Sequence, residues 1–145
     1  MTKWHGLYMD LAKKISTWSK DPSRKIGAVA IGDNGQVLSQ GYNGFPRGIL
    51  DLQERYDDRP TKYKYVVHAE MNCIYNATLN GVSLKGSTLY VSGLPVCSEC
   101  AKGIIQVGIK EVYWNLDDDI PEIWLDSLKL TTEFFEEAKV KFTKI

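Results

Sequence analysis

The sequence has no long apolar run, no excess charge of either sign and few cysteines, and each absence removes a class of protein. Across its 145 residues no apolar stretch approaches the roughly 18 residues a membrane helix needs, and Lys3, Asp10, Lys13 and Lys14 interrupt the first eighteen. A soluble, cytoplasmic protein with no membrane partner is the expectation. Eighteen Lys and Arg balance eighteen Asp and Glu, and no block of five like charges occurs. Binding driven by a nucleic-acid phosphate backbone is therefore not expected. Three cysteines are an odd number and too few for a disulfide scaffold; two of them stand as Cys97-Ser98-Glu99-Cys100, a spacing that suits metal or redox chemistry. Internal repeats and low-complexity segments are also missing. What remains is the length and apolar content of one globular domain spanning 1–145, with 43% hydrophobic residues to build a core.

Trp4, Tyr8, Leu11, Ile15 and Trp18, with Leu7 beside them, recur at three- and four-residue steps and predict an amphipathic helix that Asp21-Pro22 ends. Gly27 to Ile31 reads as a buried strand, Asp33-Asn34-Gly35 as a tight turn, and Gln36 to Gln40 as the returning partner. Gly41 to Gly48 is rich in glycine and reads as a shaped loop, and Asp51 to Lys64, polar and carrying Pro60, as one long loop. A helix is expected over His68 to Leu79 and a strand over Thr88 to Ser92. Another helix follows from Cys100 to Val107, a strand from Glu111 to Trp114, a helix from Ile123 to Ala138 and an edge strand over Val140 to Phe142. A helix between two strands requires a parallel crossover. The expected architecture is thus α/β, with three α/β/α layers and a five-stranded mixed sheet carrying helices on both faces.

Two short motifs carry chemistry. His68-Ala69-Glu70 opens one helix and Cys97-Ser98-Glu99-Cys100 opens the next, with a single strand between them. One imidazole and two thiolates suit Zn²⁺, and three protein ligands leave a fourth position open, as catalytic sites require. A closed structural site would need Cys73. That residue follows His68 by five positions, about 140° round a helix, and reads instead as a buried thiol. Redox chemistry at the Cys-x-x-Cys pair alone is the other bland alternative. Glu70 is an ordinary solvated helix residue unless His68 sits at the cap, in which case its carboxylate reaches a water at the metal.

An H-x-E followed by C-x-x-C is the signature of zinc nucleobase deaminases. The sequence resembles that superfamily along nearly its whole length, and within it the deoxycytidylate deaminase branch. Asp21-Pro22-Ser23-Arg24-Lys25-Ile26-Gly27-Ala28, Gly41-Tyr42-Asn43-Gly44-Phe45-Pro46-Arg47-Gly48, the His68 motif and Leu94 to Lys102 carry the resemblance in the family's order. Val96 stands where the family usually has proline, with Pro95 one step earlier. The resemblance implies a cytidine-deaminase-like fold, one catalytic Zn²⁺ per chain on His68, Cys97 and Cys100, and Glu70 as the group that moves protons during hydrolysis of dCMP to dUMP and ammonia. It implies that the Ala69 backbone N–H holds the base carbonyl and that Asn43 binds a sugar hydroxyl, against the alternative of a plain Asn-Gly turn. Ser23, Arg24 and Lys25, two cations and a hydroxyl on one short loop, are expected at the 5′-phosphate or else form a solvated turn.

Branch members are typically hexamers activated by dCTP with Mg²⁺ and inhibited by dTTP, which maps an effector site onto Tyr42, Asn43, Gly44 and Arg47. The charged stretch from Glu54 to Arg59 either contributes there or is solvated. A homo-oligomer, with a hexamer favoured, is the corresponding expectation, and the four Trp, eight Tyr and four Phe are many for one core of this size. The alternatives are a tRNA adenosine or free-base deaminase, against which the zero net charge counts, and a non-catalytic zinc-stabilised module.

Overall fold

The computed structural model describes residues 2–145. Five strands form one sheet in the order β2-β1-β3-β4-β5. β1 (Gly27–Ile31) pairs antiparallel with both β2 (Val37–Tyr42) and β3 (Thr88–Ser92), while β3, β4 (Glu111–Asn115) and β5 (Lys141–Lys144) run parallel. The parallel half follows from the chain itself. A helix, α5 (Ser98–Gln106), separates β3 from β4, and a second, α6 (Leu125–Ala138), separates β4 from β5.

Alternation along the strands divides the core in two. Ala28, Ala30, Leu89, Val91, Val112 and Trp114 face α4 (Ala69–Leu79), α5 and α6, where Ile104 and Phe135 are buried. Val29, Ile31, Tyr90 and Tyr113 face the other way, against Met9, Ala12 and Ile15 of α1 (Lys3–Ser16). β1 is buried at every position because both faces are covered, which explains its unbroken apolar run. Helices thus lie on both faces, as the sequence pattern implied.

Several expected elements shift. The buried stripe of α1 is Met9, Ala12, Ile15 and Ser16, whereas Trp4 and Trp18 are 53% exposed and Leu7 is exposed too. The reason is distance. A Cβ on Gly27 would lie 2.6 Å from the Ser16 amide nitrogen, so α1 crosses the sheet on its small residues and its large aromatics fall to the flank. Gly41 and Tyr42 belong to β2 and not to the following loop. Helix α5 begins at Ser98, two residues earlier than expected, and a 3-10 turn, Glu122–Trp124, precedes α6. The stretch from Asp51 to Lys64 is not one loop. It contains α2 (Gln53–Asp57) and α3 (Arg59–Tyr65), and Asp58 caps α3 by accepting from the Thr61 amide at 3.3 Å. Pro60, read as a breaker, sits in the first turn of α3, where its missing N–H costs nothing.

Candidate active site

His68 is the N-cap of α4 with extended backbone (φ −67°, ψ 154°), and Cys97 is the N-cap of α5 (φ −75°, ψ 161°). Both caps are residues whose chain is not yet helical, so their side chains swing out over the helix starts and meet. His68 Nδ1 lies 3.3 Å from Cys97 Sγ and 3.3 Å from Cys100 Sγ. All three donor atoms lie within 4.8 Å of one another. A tetrahedral zinc with Zn–S of about 2.3 Å and Zn–N of about 2.0–2.1 Å sets N and S roughly 3.5 Å apart, so the donor set fits that ion with little movement. Cys73 lies apart from the cluster in the core, where its carbonyl accepts from Ser39 and burial pushes its thiol up to about 12.

Close packing of three titratable groups redistributes their protons. The Cys97 sulfur, accepting from Cys100 and His68, is held far below the ordinary thiol range, and Cys100 is driven the opposite way by the same bond and by burial. His68 is raised to about 9, chiefly by its bond to Cys97 and against the effect of burial. Two thiolates and a neutral imidazole are the forms that bind metal, so a metal ion entering the cluster would displace the protons that Cys100 and His68 hold.

Glu70, in the first turn of α4, is only 4% exposed, and burial pushes its carboxyl up to about 7, against the pull of His68. It lines a cavity of about 270 Å³ together with His68, Ala69 and Cys97. Leu94, Pro95, Ile123 and Trp124 give that cavity apolar walls. The His68 side chain does not cap α4, so the first backbone N–H groups of the helix have no partner from the cap, and Ala69 lines the cavity.

The loop that presents the cysteines is held from behind. The hydroxyl of Thr131, fully buried on α6, donates to the Val96 carbonyl at 2.9 Å, and the Ser98 amide donates to Ser127 Oγ at 2.9 Å. Neither residue has a signal in the sequence, because each partner is about thirty residues away.

The other expected site residues separate. Asn43 lines the cavity, but its Oδ1 accepts from the Ile26 amide at 2.8 Å and its Nδ2 donates to the Arg24 carbonyl at 2.9 Å. It therefore holds the 24–26 segment in place, with one N–H and one lone pair left for a ligand. Ser23 and Arg24 line the cavity as well. Arg24 donates to the Gly93 carbonyl and to Asp118, both at 3.1 Å. Lys25 does not reach the cavity; its ammonium turns back onto the Ser19 carbonyl. Of the residues mapped to an effector site, Tyr42 lies outside against the edge of Trp18, with ring centroids 6.1 Å apart. Gly44 bridges to Val67 and Arg47 bonds Asn76 on α4. Only Asn43 among them faces the cavity. Sequence reasoning missed Arg59, Lys62 and Tyr63 as cavity residues, because they lie on a helix that the composition hid.

The family model of the cytidine and deoxycytidylate deaminase zinc-binding region matches residues 2–116. The chain belongs to that family. It is 35% identical to an uncharacterised deaminase from the luxG 3′ region of Aliivibrio fischeri, covering 99% of this chain and 94% of that protein. It is 40% identical to the deoxycytidylate deaminase of Pongo abelii over 98% of this chain and 79% of the relative. Among solved structures, the dCMP deaminase of cyanophage S-TIM5 in complex with dCMP and dUMP superposes with a TM-score of 0.79 at 25% identity, covering 100% and 98% of the two chains. The enzyme is a hydrolytic deaminase with the cytidine-deaminase-like fold, and its His/Cys/Cys cluster matches the zinc-binding character of the family. None of the helices among the described residues is long and apolar enough to cross a membrane.

Proposed function

We propose that this deaminase, acting as one catalytic domain over 1–145, converts dCMP to dUMP and ammonia with one Zn²⁺ on His68, Cys97 and Cys100. The observation that carries the reading is the convergence of those three donors, with His68, Cys97 and the buried Glu70 lining one cavity. When bound, zinc lowers the pKa of water towards neutrality and so supplies a nucleophile. Glu70 takes one proton from the attacking water and delivers it to N3 of cytosine, then takes the proton of the new C4 hydroxyl and delivers it to the amine, so that the C4–N bond breaks as the C4 carbonyl forms and ammonia leaves. The Ala69 N–H donates to the base carbonyl, the remaining capacity of Asn43 meets a sugar hydroxyl, and Leu94, Pro95 and Trp124 exclude water from the base. The phosphate lies at the Ser23-Arg24 side of the cavity. The substrate is named from the relatives, which include deoxycytidylate deaminases and a structure holding dCMP and dUMP.

Ammonia release measured across dCMP, CMP, deoxycytidine, dCTP and adenosine tests this directly. The expected outcome is a kcat/KM for dCMP at least about 10-fold above every other compound, the scale of one well-made contact to a charged group. Preference for adenosine or an unphosphorylated nucleoside contradicts it.

Regulation by dCTP with Mg²⁺, inhibition by dTTP, a cytoplasmic location and a hexameric assembly complete the proposal. The exposed Trp4, Trp18 and Tyr42 support association, since aromatic side chains of this size are favoured at interfaces. Velocity against dCMP concentration, with and without dCTP and Mg²⁺, combined with light-scattering mass, is expected to give a sigmoid curve that dCTP makes hyperbolic, at six chains per particle. A monomer with hyperbolic kinetics indifferent to both triphosphates overturns this part and leaves the chemistry intact.

A further inference from the structure

Lys62 is a charged side chain where charge is costly: it is 6% exposed, in α3, and lines the cavity beside Arg59. Among the described residues its ammonium has one polar partner, Asp21, at 3.4 Å from each carboxylate oxygen. Asp21 is itself 4% exposed and already accepts from the Ser23 amide at 2.9 Å. Charge-assisted N–H···O bonds close to about 2.7–2.9 Å when nothing holds the groups apart. The pair is therefore loosely made. An ammonium has three donors, and a buried ion pair of poor geometry is weak evidence for a stabilising role. A further acceptor from the cavity side would complete it.

The cations nearest in sequence to the first strand are already committed. Arg24 is held by Asp118 and the Gly93 carbonyl, and Lys25 by the Ser19 carbonyl. On α3 the position differs. Arg59 donates only to the Tyr63 hydroxyl, at 3.3 Å, and has no carboxylate partner among the described residues. The helix that carries both cations is fixed in place. Phe45 stacks on Tyr56 at 4.1 Å and 9° between planes, and lies 5.5 Å from Tyr65, which pins α2 and α3 to the loop after β2.

We propose that α3 forms the phosphate clamp of this enzyme, with Lys62, backed by Asp21, and Arg59 binding the 5′-phosphate opposite Ser23. The proposal rests on the reading above that the substrate is a nucleotide. Asp21 offsets Lys62, so Arg59 supplies the surplus positive charge a phosphate monoester needs, and its planar fork suits two phosphate oxygens.

Calorimetric binding of dUMP and deoxyuridine to the zinc-loaded enzyme tests it without depending on turnover. In the unaltered protein dUMP is expected to bind at least about 10-fold more tightly than deoxyuridine. Arg59→Ala and Lys62→Met are each expected to weaken dUMP by about 10-fold or more, while deoxyuridine stays within about 2-fold. Arg59 lies at the surface, so Arg59→Ala carries the test even if Lys62→Met does not fold. Equal losses for both ligands in Arg59→Ala, or unchanged dUMP affinity, overturn the clamp. Unaltered protein that binds dUMP no better than deoxyuridine overturns the nucleotide reading itself, an outcome separate from any variant.

Discussion

Glu70→Gln is expected to keep one zinc per chain and to lower kcat/KM on dCMP by about 10²–10⁴-fold, the usual cost of losing a general acid–base group. The substitution leaves shape and volume nearly unchanged in a position that is 4% exposed, so the cavity retains its form. What disappears is the ability to take a proton from water and return it to the base. Loss of zinc in this variant would make Glu70 a structural support for the cluster and remove it from the chemistry. Metal analysis and dUMP formation on the same preparation separate the two.

Gly41→Ala is expected to destabilise the fold by about 3 kcal/mol or more and to abolish most activity, the upper range for overpacking a core that cannot yield. At Gly41 a Cβ would lie 2.6 Å from the Ala69 carbonyl oxygen and closer still to the Cys73 amide nitrogen, both backbone atoms of α4. Relief requires α4 to move away from β2, and α4 carries His68 and Glu70 at its start. Stability and chemistry are therefore damaged by the same displacement. Gly44→Ala, three residues on in the same motif, is the control. Its Cβ would meet nothing nearer than a Tyr42 ring carbon at 3.9 Å, so a stability change within about 0.5 kcal/mol is expected. Thermal or urea unfolding of the two variants checks the contrast, and equal stability would contradict the close approach of β2 to α4.

Much of this arrangement is legible in the sequence because it is local. His68 and Cys97 stand at helix caps, and the strand between their helices delivers both to one end of the sheet. The unbroken apolar run of β1 announces burial on both faces. What the sequence conceals depends on distance along the chain. Nothing near Thr131 marks it as the support of Val96, and the periodicity of α1 favours the aromatic flank over Ala12 and Ser16, since a close crossing at Gly27 has no local trace. Pro60 and the surrounding charges read as loop, yet Asp58 and Thr61 build a cap there, and the helix it starts puts Arg59 and Lys62 into the cavity. Lys25, beside Arg24 in sequence, is directed elsewhere by a backbone carbonyl that folding brings near.

The central claim is that one zinc on His68, Cys97 and Cys100 makes this chain a deaminase of dCMP. Zinc returned stepwise to chelator-treated protein, with dUMP formation followed at each addition, tests it most directly. Activity is expected to rise in proportion and to level at one zinc per chain, with Cys97→Ala recovering none. Full activity in protein shown by metal analysis to hold no zinc would contradict the account.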